Sequence, residues 1–197
     1  RCTGAECPAQ LLRSITHFAG RDAMDIDGLG PAVVQLLVEQ KLAASPADLY
    51  TLRLTDVASL DRMGRRSAKK LLEAIEKSKQ QPLSRLLYAF GIRQVGQKAA
   101  GLLARQFGSM DRLLEATREE LCAIPDIGEI TAESLCRWLE SAQSRHLIAR
   151  LREAGVNMTQ PDEQLSHRLE GRTFVITGTL EKRSRQEMTQ FIQQHGG

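Results

Sequence analysis

Apolar residues recur along this chain at fixed distances from a glycine. With Gly30 as the first anchor, Gly64, Gly96 and Gly128 follow at spacings of 34, 32 and 32 residues. One residue before each anchor stands Leu29, Met63, Val95 or Ile127, and four before it Ile26, Leu60, Ile92 or Ile124. Four residues after it stands Val34, Ala68, Ala100 or Ala132, and seven after it Leu37, Leu71, Leu103 or Leu135. Agreement at four flanking positions in four units is hard to attribute to chance, and a period in this range marks a repeated supersecondary unit. Each unit reads as a short helix ending in an apolar residue, a tight turn ending in glycine, and a second helix. The residues at +4 and +7 share one face of that helix. A small residue at +4 lets the two helices approach closely, and Leu at +7 joins the residues at −4 and −1 in a shared core. The turn glycines point to a backbone with positive φ or to close approach by a ligand.

The turns carry the local signature hydrophobic-x-Gly-hydrophobic-Gly. It is complete in "IDGLG" (Ile26 to Gly30), whereas "LDRMG", "IRQVG" and "IPDIG" keep the second glycine and place Arg62, Gln94 and Asp126 at the first. This pattern resembles the helix-hairpin-helix motif, and four tandem copies make a strong signal. The expected fold is mainly α, a tandem of four helix-hairpin-helix motifs over 21–158. An inert helical solenoid is the plain alternative. Tetratricopeptide repeats share a period of ~34 residues, but their aromatic-centred pattern is missing. A dinucleotide-binding glycine loop is excluded, because the third glycine of G-x-G-x-x-G would fall at Val33 and no strand-like run precedes the turn.

A helix that begins at such a turn presents unpaired backbone N–H groups and the positive end of its dipole. Together these form a site for a phosphate oxygen. Backbone donors carry no base information, so contacts of this kind position a protein on DNA without reading sequence. Side-chain charge then ranks the units. Arg62, Arg65, Arg66, Lys69, Lys70, Lys77 and Lys79 crowd unit two, against Glu73 and Glu76. Unit three offers Arg93, Gln97 and Lys98. Unit one has Asp25 and Asp27 before its turn, and unit four has Asp126 and Glu129, which weaken phosphate binding. The candidate DNA-binding residues are therefore Gly28, Gly30, Gly64, Arg65, Arg66, Lys69, Arg93, Gly96, Gln97, Lys98 and Gly128. A solvated helix face is the bland reading of the basic run, and its coincidence with a hairpin glycine argues against that reading.

Composition adds limits. Hydrophobic residues make up 42% of the 197 positions, enough for a packed core, while aromatics at 4% argue against a binder that stacks single-stranded bases. The net charge of +3 leaves any basic patch local. There is no apolar run of ~20 residues and no apolar signal core, so no membrane partner is expected. The missing initiator Met and the final Gly196-Gly197 read as the ends of a piece. Cys122 and Cys136 sit among apolar residues and read as small core residues. Cys2 and Cys7, in "RCTGAECPAQ", supply half the ligands of a tetrahedral zinc site. The four histidines show no catalytic spacing.

After a polar linker at 159–168, "RTFVITGTL" reads as a strand over Thr173–Ile176 with a Thr-Gly turn, and "SRQEMTQFIQQ" as a helix capped by Ser184. This block, 169–197, resembles the opening of a BRCT domain, an α/β segment cut short at Gly197. The whole order, with "HFAGRDAMDIDGLG", "ADLYTL" and "LLYAFGIRQVG", resembles the C-terminal half of the bacterial NAD-dependent DNA ligases. The resemblance implies that 1–20 is the remnant of a four-cysteine zinc finger with a connecting helix, Cys2 and Cys7 being its last two ligands. It further implies a parent enzyme that seals nicks in duplex DNA during replication and repair with NAD, Mg and one structural Zn, in the bacterial cytoplasm at the nucleoid. The catalytic domains would lie upstream, so this chain would bind no cofactor and catalyse nothing. Its expected partners are nicked duplex DNA and the other ligase domains. Two other classes compete. A helix-hairpin-helix glycosylase would need an Asp about twenty residues after a hairpin, and Asp111 and Asp162 fit poorly. A protein-interaction scaffold is the other, favoured by the BRCT-like end.

Overall fold

The computed structural model describes residues 8–161, together with 174–175, 188–189 and 191–192. Residues up to Gln160 form one unit and those from Pro161 another. Ten helices are described in the first: α1 Pro8–Ala19, α2 Pro31–Glu39, α3 Leu54–Ala58, α4 Arg65–Ser78, α5 Leu83–Ala89, α6 Gln97–Phe107, α7 Met110–Leu114, α8 Arg118–Cys122, α9 Glu129–Glu140 and α10 Ala142–Glu153. A 3₁₀ turn, Pro46–Thr51, stands between α2 and α3. The helices pair within the repeats, α1 with α2, α3 with α4, α5 with α6 and α8 with α9.

The repeated positions are the core. The residues at −4, −1, +4 and +7 are all buried except Met63, which is half-buried. The +4 and +7 residues are at most 2% exposed. Each Leu at +7 therefore contributes the full burial term, about 1.5–3 kcal/mol relative to exposure. α1, which the sequence places in a region before the hairpin units, packs on α2 as the first helix of unit one. The longer link between them closes on itself through Met24 N–H to Phe18 C=O (3.1 Å) and Ile26 N–H to Ala19 C=O (3.0 Å). Arg85 of α5 clamps it by donating to the carbonyls of Ala23 (2.6 Å) and Arg21.

Besides the Arg85 clamp, three ties join the first pair of units to the second. His17 Nε2 lies 2.8 Å from the Tyr88 carbonyl, and the two rings meet edge to face. Arg150 of α10 holds Asp48 of the 3₁₀ turn at 2.7 Å. Residues 157–160 form a strap: Asn157 N–H donates to Lys79 C=O (2.8 Å), Leu83 N–H to Thr159 C=O (3.1 Å) and Gln160 N–H to Gly108 C=O (2.8 Å). Thr159 and Gln160, at the head of the sequence-predicted linker, are thus hydrogen-bonded into the body. Tyr50 is half-buried near the same region, its hydroxyl 3.0 Å from Ser78 Oγ, and desolvation pushes its pKa up to about 12.

The second unit gives less. Met188, Thr189, Phe191 and Ile192 are helical, within the helix expected after Ser184. Phe174 and Val175, expected in a strand, have no strand structure and are 42% and 80% exposed. A strand exists only through a partner's hydrogen-bond ladder. Among the described residues the only β pairing is an isolated bridge between Ser109 and Thr159. Mainly α stands as the fold class, and the BRCT-like α/β part belongs to residues largely outside the described ones.

Candidate nucleic-acid interface

All four hairpins share one backbone design. The N–H before the anchor glycine donates to the carbonyl three residues earlier: Leu29 to Ile26 (3.3 Å), Met63 to Leu60 (3.1 Å), Val95 to Ile92 (3.0 Å) and Ile127 to Ile124 (3.1 Å). The third residue of each turn has positive φ: Gly28 (82°), Arg62 (60°), Gln94 (67°) and Asp126 (68°). The second residue does not, which makes these type II turns. Pro125 at the second position of the last turn suits that type.

The anchor glycines need a different explanation. Gly30, Gly64, Gly96 and Gly128 have φ between −77° and −85° and extended ψ, a conformation open to any residue. A positive φ is therefore not their reason. A Cβ built on any of them meets nothing within 4 Å, so no neighbour in the fold requires the missing side chain. What remains is approach from outside. Each anchor is also the N-cap of the second helix, and a glycine N-cap supplies no side-chain acceptor. Ser109, Thr117 and Ser141, by contrast, accept first-turn N–H groups of α7, α8 and α10. The helix starts of α4, α6 and α9 thus have no side-chain cap, and an outside anion suits such a place. Hairpin one is poorer by one donor, because Pro31 occupies the first helical position.

The hairpins come in two pairs. Gly28 of hairpin one lies against α4, where a Cβ on it would sit 3.9 Å from Leu71 Cδ1. Ser134 Oγ of α9 donates to the Arg93 carbonyl of hairpin three (2.7 Å), and Lys98 Nζ reaches Asp126 Oδ2 of hairpin four at 2.8 Å. Phe90 and Trp138 stack between the same two units, with centroids 4.7 Å apart.

Every candidate residue from Gly28 to Gly128 is exposed. Gly64, Arg65, Arg66 and Lys69 gather at hairpin two. Lys69 makes an exposed 3.7 Å pair with Glu73, and Arg65, Arg66 and Lys70 make no ion pair among the described residues. Lys77 and Lys79 sit at the other end of α4, and Lys79 is 17% exposed and paired with Glu76 at 2.6 Å. The cationic cluster at the hairpin is thus shorter than the basic run in the sequence. Arg93, Gly96, Gln97 and Lys98 gather at hairpin three, where Lys98 is already paired with a carboxylate. Gly128 opens α9 beside Glu129 and Ile130, the latter 73% exposed. Two features had no local sequence sign: the Lys98–Asp126 pair, which joins separate units, and the left-handed turn residue shared by Gly, Arg, Gln and Asp.

Cys2 and Cys7 lie outside the described residues. Cys122 and Cys136 are half-buried against the core, and burial and the Glu140 charge push the Cys136 thiol up. Among the described residues no cluster of three metal-ligating side chains exists, and no helix is long and apolar enough to cross a membrane.

Similarity to known proteins follows these pairs. The SAM-like helix-hairpin-helix tandem family matches residues 20–77, units one and two, and the Helix-hairpin-helix motif family matches 85–148, units three and four. Over its full length the chain is 50% identical to the DNA ligase of Carboxydothermus hydrogenoformans, 48% to that of Caldicellulosiruptor bescii and 46% to that of Thermoanaerobacter pseudethanolicus. The chain is homologous to one segment of the bacterial DNA ligases. It spans about 30% of the length of the curated relatives it matches. In this chain the two hairpin pairs are the recognisable modules, and α10 with the 157–160 strap fastens them together.

Proposed function

We propose that this chain is the module with which a DNA ligase grips duplex DNA, without reading sequence, on both sides of a nick. The observation that carries the reading is the set of anchor glycines, kept free of a side chain where the fold neither bends nor crowds them, at helix starts whose donors have no cap. A phosphate oxygen suits that place. Hairpin two is the main grip, with Arg65, Arg66 and Lys69 around its donors. Hairpin three adds Arg93, Gln97 and Lys98, and hairpins one and four contribute backbone contacts at Gly28, Gly30 and Gly128.

In the whole ligase, the sealing chemistry with NAD and Mg belongs to other domains, and this module holds the duplex for them in the bacterial cytoplasm. Cys2 and Cys7 are two ligands of a structural zinc. Two thiolates are half a tetrahedral set, so the other two come from elsewhere. Residues from 169 open a BRCT domain.

The test is a salt titration of binding to nicked and intact duplexes. Binding is expected to weaken steeply with salt, the log–log slope shrinking by ~0.9 for each phosphate that a variant no longer neutralises. Arg65→Glu with Arg66→Glu should abolish most of the affinity. No duplex binding even at low salt would sink the reading, and undiminished binding by the double variant would remove hairpin two as the main grip.

A further inference from the structure

The four hairpins differ at one place that the fold holds constant. The third turn residue is left-handed and exposed in all four, yet it is Gly28, Arg62, Gln94 or Asp126. Glycine adopts this conformation without steric cost, whereas the other three hold it against the clash of their own Cβ. Packing does not account for them. The Arg62 side chain is 93% exposed, and its one ion pair is an exposed 3.6 Å contact with the adjacent Asp61. Asp126 pairs with Lys98 Nζ of another unit at 2.8 Å, and both groups are exposed. Lys98 is the second residue of α6, where a phosphate held by hairpin three would sit.

Resting on the duplex-DNA reading above, we infer that the third turn residue sets how strongly each hairpin engages a phosphate. Arg62 adds a cation to the two that open α4, so hairpin two presents positive charge on both sides of its backbone donors. Gln94 is neutral and leaves hairpin three to depend on Lys98. Asp126 occupies Lys98 with a carboxylate that competes with the phosphate. The acidic turn of unit four thereby weakens its neighbour as well as itself. The graded order is hairpin two, then three, with four the weakest.

One substitution made at two equivalent positions tests this. Arg62→Gly and Asp126→Gly, each in the full chain, both place glycine in a backbone that favours it. Both variants should fold and melt at an unchanged or higher temperature. Their duplex affinities should move in opposite directions. Arg62→Gly should bind on the order of threefold to tenfold more weakly, its log–log salt slope smaller by ~0.9. Asp126→Gly should bind more tightly, with a slope larger by ~0.9, because Lys98 becomes free to displace a counterion. Adding Lys98→Ala should erase that gain. Unchanged affinity in both variants, or changes of the same sign, overturns the inference. A gain that survives Lys98→Ala also overturns it, since the effect would then be long-range charge. If the unaltered chain fails to bind duplex at low salt, the duplex reading itself has failed, an outcome separate from all of these.

Discussion

At Gly64 and Gly96 the backbone has φ of −77° and −85°, which any residue adopts, and a Cβ would meet open space. Fold stability therefore says little about why glycine stands there, and alanine separates the two demands. Replacing a glycine N-cap by alanine costs roughly 1 kcal/mol or less. The added methyl would, however, stand where a phosphate approaches the first-turn donors. The double variant Gly64→Ala, Gly96→Ala should keep its helical circular dichroism and melt within a few degrees of the parent, while duplex affinity drops by on the order of tenfold or more. Intact affinity would mean that the anion does not sit at these helix starts. The same logic read in reverse applies to Gly28, where φ is 82° and the turn's own conformation favours glycine.

Between the helices, the 3₁₀ turn and α10 show how a short element is fixed by charge. Asp48 accepts from the N–H groups of Ala44 and Ser45 and from Arg150, each at 2.7 Å. Burial acts to raise its pKa, but the hydrogen bond and charge of Arg150 and the two N–H bonds outweigh it and hold the carboxyl below its usual range. A depressed folded value means that the stability from Asp48 is fully present above the unfolded value of about 3.9 and is lost as pH falls through the folded one. Asp48→Asn should lower the melting temperature at neutral pH and flatten its decline below about pH 4. An equally steep acid decline in the variant would place the acid sensitivity elsewhere. Elements such as this one were not legible in advance, because Arg150 meets Asp48 across 102 residues of sequence. The repeats were legible, because Ile26, Leu60, Ile92 and Ile124 do the same packing job in the same local frame. The left-handed turn residue was hidden for the opposite reason: Arg62, Gln94 and Asp126 share a conformation but no chemistry. The strap at 157–160 was hidden because its partners, Lys79, Leu83 and Gly108, lie far back along the chain.

Across the molecule, charge is divided unevenly. Residues 115–140 hold seven acidic side chains against two arginines, a net of −5, so a chain of net +3 carries +8 on its other residues. On the duplex-binding proposal, unit four would repel the DNA that unit two attracts, and position along each helix would matter as much as charge. In α4, Lys69 and Lys70 lie about 8–9 Å along the axis from Gly64, while Lys77 lies about 20 Å from it at ~1.5 Å per residue. Lys41 similarly stands beyond the far end of α2. A duplex held by the hairpin ends covers the near lysines and leaves the far ones in water. Lysine acetylation read by mass spectrometry, with and without duplex, should therefore show protection at Lys69 and Lys70, and less at Lys98, which Asp126 already holds. Lys41 and Lys77 should react equally in both states, and Lys79, already paired with Glu76, should change little. High salt should remove the protection together with the binding, because both arise from counterion release at the same phosphates. Uniform protection, or protection centred on Lys41 and Lys77, would show that the duplex lies along the helix flanks, and the hairpin ends would no longer explain the binding.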